Sequence, residues 1–459
     1  MAGELTTKAV EFITRTGEAE LPAAAYPAAI RAFVDTLGTM LAGSAEPQGR
    51  ILADFVAEEA ASPRASVLGA DLRTSPQLAA LANGTAAHAL DYDDVHMAMG
   101  HPSVALVPAV LAVSESLDVS GQDMLTAYIV GFEVAAKIGR ALSGKTNNHY
   151  VHGWHSTATV GVMGAAAACA WLLHLDEAQT ANALGLAASH VSGLRKNFGT
   201  MTKPYHPGNA ARSGVVSARL AQAGFSADAT ILDSPLGYFD VLAEGPYEPE
   251  YLSELGQRFE ILEPGISVKK YPCCYGTHRA ADAALDLALE EQFEPDQIDS
   301  VDVHISSAQL APLIHDRPVT GLQGKFSLQY VVSAALVDRA LKLRTFTDPM
   351  VQRDPMQRLI PRVNKVVADS SGNNFDFSEV TVTVRTTDGR TLSRSCATPK
   401  GDAARPLTDA EVDEKFLDCA STVMAPAAAT KILSLVRDLG SLDSVRLLTN
   451  EITAEQMRA

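Results

Sequence analysis

The chain has 459 residues, with 37 Lys and Arg against 54 Asp and Glu, a formal charge of −17. At 47% hydrophobic and 20% charged residues, it can bury large cores, which excludes wholesale disorder. The acidic balance excludes nucleic acid as a partner, because phosphate binding needs a basic face; an anionic small molecule stays open, since a few converging cations override the global sign locally.

At about 100–200 residues per domain, two or three domains are expected. Most of the chain before Pro246 reads as helix. Apolar residues recur at three- and four-residue steps over Tyr26–Leu41, Gln77–Leu90, Met124–Leu142, Ser156–Leu173 and Ala178–Ser189. Ser75 before Pro76 predicts an N-cap with proline in the first turn, and Asp176 with Gln179 predicts a capping box. The run from Gly161 to Ala170 is small or apolar on every side, which predicts closely packed, fully buried helices.

After about Glu260 the period changes. Asp299–Ser306 alternates Val301, Val303 and Ile305 with polar residues, as does Glu379–Arg385. Asp388-Gly389 and Arg390–Ser395 complete a β-hairpin. Ala281–Glu291 and Ser327–Leu341 read as helices, Thr408-Asp-Ala-Glu411 opens another with a capping box, and Thr430–Leu439 gives one more. The expected fold is mostly α: a large all-helical domain (1–264 plus 401–459) with an inserted, smaller α+β lid domain (265–400).

Five cysteines at irregular spacing match neither a disulfide framework nor a zinc site, so a reducing compartment is expected. The first residues carry no basic-then-apolar signal. The longest apolar run, Val160–Leu173, is too short to span a bilayer. A cytoplasmic protein without a membrane partner is the expectation.

Four segments could carry chemistry. The densest is His88-Ala-Leu-Asp91-Tyr92-Asp93-Asp94-Val-His96-Met-Ala-Met-Gly-His101-Pro102. Crowded carboxylates raise one another's pKa, and a nearby histidine titrates near neutrality. Together they could take a proton beside a substrate carboxylate and return it elsewhere, with His96 a candidate substrate-binding residue. The alternative is a solvated helix end whose acids cap the next turn. Magnesium–diphosphate enzymes use Asp-Asp-x-x-Asp, and here Met97 stands where that pattern needs an acid; no metal is expected. The second segment is His152-Gly-Trp-His155-Ser-Thr157. There His155 stands beside a helix start that favours carboxylates, or simply bonds the loop backbone. The third runs from Lys196 through Lys203 and His206 to Arg212 in a Gly- and Pro-punctuated loop, and its cations favour an anion site. The fourth is Lys269-Lys-Tyr-Pro-Cys-Cys-Tyr-Gly-Thr-His278-Arg279, where Lys270, His278 and Arg279 could hold a polycarboxylate. No phosphate-cradling Gly-Lys-Thr loop, dinucleotide fingerprint or Gly-x-Ser-x-Gly elbow is present.

In this order the segments resemble the MmgE/PrpD family. The matching text is Ala82-Asn-Gly-Thr-Ala-Ala-His-Ala-Leu-Asp-Tyr-Asp-Asp94, His101-Pro-Ser103, Gly153-Trp-His155, Thr202-Lys-Pro-Tyr-His-Pro-Gly-Asn-Ala-Ala211 and Lys269-Lys-Tyr-Pro-Cys-Cys274. The resemblance covers nearly the whole chain. It implies a helical domain with an α+β lid, a homodimer, no cofactor, and a lyase acting on a small di- or tricarboxylate. That lyase would be 2-methylcitrate dehydratase-like or cis-aconitate decarboxylase-like, with an iminodisuccinate epimerase-like isomerase as the alternative. It also implies catalytic roles for Asp91, His101, His155, Lys203 and Tyr330. Decarboxylase-like members resemble Asp-Phe-Asp-Asp-Thr, whereas this chain has Val95 at the position of the threonine.

Overall fold

A computed structural model describes residues 3–144, 147–291, 293–367 and 377–456. The chain divides into two compact units. One comprises Met1–Leu194, Pro204–Val268 and Thr408–Ala459, the other Arg195–Lys203 and Lys269–Leu407. The protein is mostly α-helical.

The first unit is a stack of helices. Ala25–Ser44, Pro76–His88, Ser103–Leu117, Gly121–Ser143 and Gly161–Leu172 are buried over most of their surface. Small residues make this stacking possible. A Cβ at Gly131 would lie 2.7 Å from the Gly164 carbonyl oxygen, and one at Gly164 would lie 2.8 Å from that of Gly131. The two helices therefore touch backbone to backbone, which any larger residue would prevent. The Asp176 and Thr408 capping boxes form as expected. Ser75 occupies the N-cap position without a side-chain capping bond.

Three features of this unit depart from the sequence reading. The periodic stretch Ser156–Leu173 is broken at Val160 into Ser156–Thr159 and Gly161–Leu172. Ser103–Leu117 is a helix that the pattern concealed, because it is apolar all round and contains Pro108. Uniform apolarity erases the 3.6-residue period, and an internal proline argues against a helix unless burial compensates. A short hairpin of β1 (Ala65–Val67) and β2 (Leu72–Thr74) also lies here, its strands too short to show alternation.

The second unit holds β3 (Ile298–Ile305), β4 (Val363–Val367), β5 (Val380–Thr386) and β6 (Thr391–Cys396). They form one sheet in the order β4-β3-β5-β6, with β4 parallel to β3 and the other pairs antiparallel. Val301, Val303, Ile305, Val380, Val382 and Val384 are buried in a core shared with the helices His278–Glu290 and Leu328–Asp338. Alternation placed these residues on one face, so a single set of helices suffices to cover them. Gly389, at φ +88, takes the left-handed position of the β5–β6 turn. Among the described residues no helix is long and apolar enough to cross a membrane.

Candidate active site

The Pro76–His88 helix stops at the start of the acidic motif. The Asp91 amide donates back to the His88 carbonyl at 3.1 Å, and Asp91 itself has φ 50. Aspartate tolerates this left-handed conformation better than most residues. The turn folds the motif back on the helix end and brings its side chains together. His88 Nδ1 lies 2.8 Å from Asp93 Oδ1, and His101 Nδ1 lies 2.8 Å from Asp93 Oδ2. His101 Nδ1 is also 3.0 Å from the Asp94 carbonyl, and its Nε2 is 3.7 Å from Asp91 Oδ1.

Asp94 has a different task. It accepts from the Ser103 amide at 3.2 Å and from the Ser103 hydroxyl, satisfying the exposed amide end of Ser103–Leu117. Burial pushes its carboxyl well above the usual range, and the charge of Asp35 adds to the effect. Burial acts in the same direction on Asp93, but the adjoining His88 and His101 outweigh it and hold this carboxyl well below the usual range. Two neighbouring aspartates are thus separated in character by their partners. The loop is also tied from outside. Lys415 donates to the Tyr92 carbonyl at 2.6 Å and pairs with Asp35 at 2.6 Å.

His155 joins the group from the loop before Ser156. Its amide donates to the Gly193 carbonyl at 3.0 Å, and its Nδ1 meets His206 Nδ1 at 3.0 Å. The His88 and His101 ring centroids are 4.5 Å apart, and His155 lies 6.1 Å from His88 and 6.4 Å from His101. Gly100 makes the approach possible. At φ +76 a Cβ there would sit 2.6 Å from Thr157 Oγ1, the hydroxyl that accepts from the His101 amide at 3.1 Å. The His101 side chain is 12% exposed, whereas those of His88 and Asp93 are 0% exposed. Of the two histidines on Asp93, only His101 is open to a ligand.

The structure therefore gathers three of the expected residues, Asp91, His101 and His155, and adds His88, Asp93 and His206. Those three stood within the singled-out segments, but spacing carried no sign that Asp93 faces two rings or that His206 meets His155. His88, Asp91, Asp93 and His101 offer donor atoms all within 4.8 Å of one another, a spacing that a cation could use. Both Asp93 oxygens and both Nδ1 atoms already face each other, however. As it stands, the group sets two imidazoles against one carboxylate.

His96 does not join this group. Its Nε2 faces Glu260 at 3.3 Å, its ring lies edge-on to Phe132, and it is buried. Burial lowers its pKa against the opposing pull of Glu260. The residue expected to bind substrate thus stands where the buried Glu260 and Lys137 and the partly buried Arg140 engage one another. At Val95, the backbone exchanges hydrogen bonds with Ser267 at 2.8 and 3.0 Å, and the side chain is buried.

The remaining expected residues belong to the second unit. Lys203 is buried there, with its Nζ 5.2 Å from each of the Phe198 and Phe326 ring centroids. A cation over two aromatic faces is attracted by both ring quadrupoles. Lys270 is exposed and lies 5.3 Å from the Tyr271 ring centroid. His278 is buried against Tyr271 and Tyr275, with Nε2 3.3 Å from the Cys273 carbonyl. Arg279 donates from Nε to the Ala397 carbonyl at 2.8 Å. Tyr330 is fully buried and donates its hydroxyl to the Thr345 carbonyl, so that hydroxyl is committed to the core. All five cysteines are buried and none forms a disulfide.

A mostly helical protein with a buried aspartate–histidine cluster and one solvent-reaching histidine has the equipment of a proton-transfer enzyme. The chain belongs to the MmgE/PrpD family: the MmgE/PrpD N-terminal domain matches residues 8–250 and the C-terminal domain residues 271–440. It is 30% identical over 433 residues to a cis-aconitate decarboxylase of Homo sapiens, covering 91% of this chain and 88% of the relative. A cis-aconitate decarboxylase of Mus musculus is 29% identical over 433 residues, covering 91% and 87%. One of Aspergillus terreus is 29% identical over 408 residues, covering 83% and 81%.

Proposed function

We propose that this protein is a cofactor-independent lyase acting on a small di- or tricarboxylate, with decarboxylation of cis-aconitate as the first reaction to test. The observation that carries the reading is His101. It is the ligand-accessible member of a buried network, with Nε2 3.7 Å from Asp91 and Nδ1 held by Asp93. The decarboxylase relatives support the reaction class and do not favour the epimerase.

In a decarboxylation with a double-bond shift, the bond to the departing carboxylate supplies electrons for a new C=C. The electrons of the old double bond then take a proton at the carbon beside a second carboxylate. His101, paired with Asp91, would deliver that proton. His155 would hold or exchange it, and Lys203 would neutralise a substrate carboxylate and the enolate-like charge that develops. Lys270, His278 and Arg279 remain proposed carboxylate contacts. A homodimer is proposed from the family resemblance.

A second reading, a 2-methylcitrate dehydratase-like reaction, is favoured by Val95, which lacks the hydroxyl found in decarboxylase-like members. Incubation with cis-aconitate and with 2-methylcitrate, followed by proton NMR, separates the two. Itaconate with release of carbon dioxide supports decarboxylation, and 2-methyl-cis-aconitate supports dehydration. A purified, folded protein that converts neither these nor a wider polycarboxylate panel would overturn the lyase reading.

A further inference from the structure

We infer that Asp93 is the positioning residue of the cluster: it accepts from Nδ1 of His88, fixing that ring as the Nδ1–H tautomer, and sets its charge beside Nδ1 of His101, whose hydrogen the Asp94 carbonyl accepts, leaving Nε2 of His101 to exchange the proton. The inference rests on the proposed acid–base role of His101. Its physical basis is an accounting of hydrogens. An ionised carboxylate only accepts, and a neutral imidazole carries one hydrogen. Asp93 Oδ1 accepts from His88 Nδ1 at 2.8 Å, so His88 must place its hydrogen on that nitrogen, while Asp93 Oδ2 lies 2.8 Å from His101 Nδ1 as an ion-pair contact. For His101 the acceptor is the Asp94 carbonyl, bonded to Nδ1 at 3.0 Å, so this ring too carries its hydrogen on Nδ1.

The Nε2 lone pair of neutral His101 then points toward Asp91 Oδ1 at 3.7 Å, beyond direct hydrogen-bond distance. That nitrogen can take a proton and, once charged, is stabilised by two carboxylates. His88 cannot do the same work, since its side chain is 0% exposed. Its contribution is to satisfy Oδ1 of a fully buried carboxylate, which would be costly to leave unpaired. The titratable groups around His101 are Asp91, Asp93, His88 and His155. Among these, Asp93 alone touches two rings through Nδ1.

The test is Asp93→Asn, which offers one acceptor and one donor in place of two acceptors. The Asp94 carbonyl should keep His101 as Nδ1–H, so the carboxamide nitrogen turns to His88 and forces it to the Nε2–H tautomer. In protein carrying 15N-histidine, long-range proton–nitrogen correlation should show both residues as Nδ1–H in the wild type and His88 alone switched in the variant. Loss of the carboxylate should also move the His101 titration down by about one pH unit or more. In turnover, kcat should fall by about 10–10³ with KM changed much less, below the roughly 10⁴ seen where a lost aspartate also reverses the tautomer of the catalytic histidine.

Asp93→Asn/His88→Gln guards against misfolding, because the glutamine oxygen can accept from the asparagine amide. The His101 titration should be lowered in that variant too. His101 found as Nε2–H in the wild type, or a His101 titration unchanged in either folded variant, would overturn the inference. Tautomers as expected in a protein that converts no polycarboxylate would uphold the role of Asp93 in fixing the rings and overturn the proposed activity alone.

Discussion

His155 and His206 meet through their Nδ1 atoms at 3.0 Å. One ring must donate and the other accept, so the two cannot both be imidazolium without breaking the bond. A proton gained by one therefore changes the hydrogen bond it shares with the other. With His101 6.4 Å from His155 by ring centroid, this pair adjoins the ring proposed to exchange the substrate proton.

The first expectation concerns His101. His101→Gln keeps much of the size and hydrogen bonding of the ring but removes the titrating nitrogen. It should lower kcat by about 10²–10⁴ and flatten one limb of the pH–rate profile. A folded variant with near-normal turnover and unchanged pH dependence would shift the proton-transfer role to Asp91 or His155.

For Lys203, truncation to alanine should lower kcat/KM by on the order of 10²–10³, the scale for losing one charge-stabilising group in a dry site. Lys203→Arg keeps the charge but not the geometry between two aromatic rings, and should recover only part of the loss. Steady-state kinetics of both variants checks this; equal activity of Ala and Lys at position 203 would remove the residue from the mechanism.

Metal dependence offers a third check. Because the donor atoms of His88, Asp93 and His101 are turned on each other, activity should survive exhaustive dialysis against a strong chelator. Loss of activity that added divalent metal restores would convert the four-residue cluster into a metal site.

The fourth expectation is about stability and pH. Glu133 and Glu260 share the buried charge of Lys137, at 3.7 and 3.4 Å. Burial pushes Glu133 up to about 7, while Glu260 falls to about 2 because His96, Arg140 and Lys137 outweigh its burial. The signs are opposite. The stability associated with Glu133 is fully present below its unfolded pKa of about 4.3 and is lost as pH rises through 7. That from Glu260 is present above about 4.3 and is lost as pH falls toward 2. Glu133→Gln should therefore raise stability at pH 8 by roughly 1–3 kcal/mol and change it little at pH 4. Thermal or urea unfolding at the two pH values measures this, and an equal effect at both would contradict it.

Assembly is the fifth. A two-fold dimer at micromolar concentration is the outcome expected from light scattering, and a monomer throughout would count against it.

Much of this protein was decided by local pattern. Alternating Val301, Val303 and Ile305 required a half-buried strand, and the Thr408–Glu411 capping box fixed a helix start, because both signals act over neighbouring residues. The motif order from Ala82 to Cys274 carried the family. The helix Ser103–Leu117 escaped because its apolar residues leave no polar face to reveal a period. The strand Val363–Val367 escaped because its partner, β3, lies some 60 residues away in sequence.

The site divides in the same manner. Sequence alone determined that acids and histidines crowd between His88 and His101, and that small residues such as Gly131 and Gly164 permit buried helices. Only the tertiary structure decided which of those groups work together. The left-handed turn at Asp91 directs Asp93 to two rings and Asp94 to the start of a helix, while Glu260, distant in sequence, draws His96 away. A side chain's protonation and tautomer depend on partners within about 3 Å, and chain folding, not residue order, sets those distances.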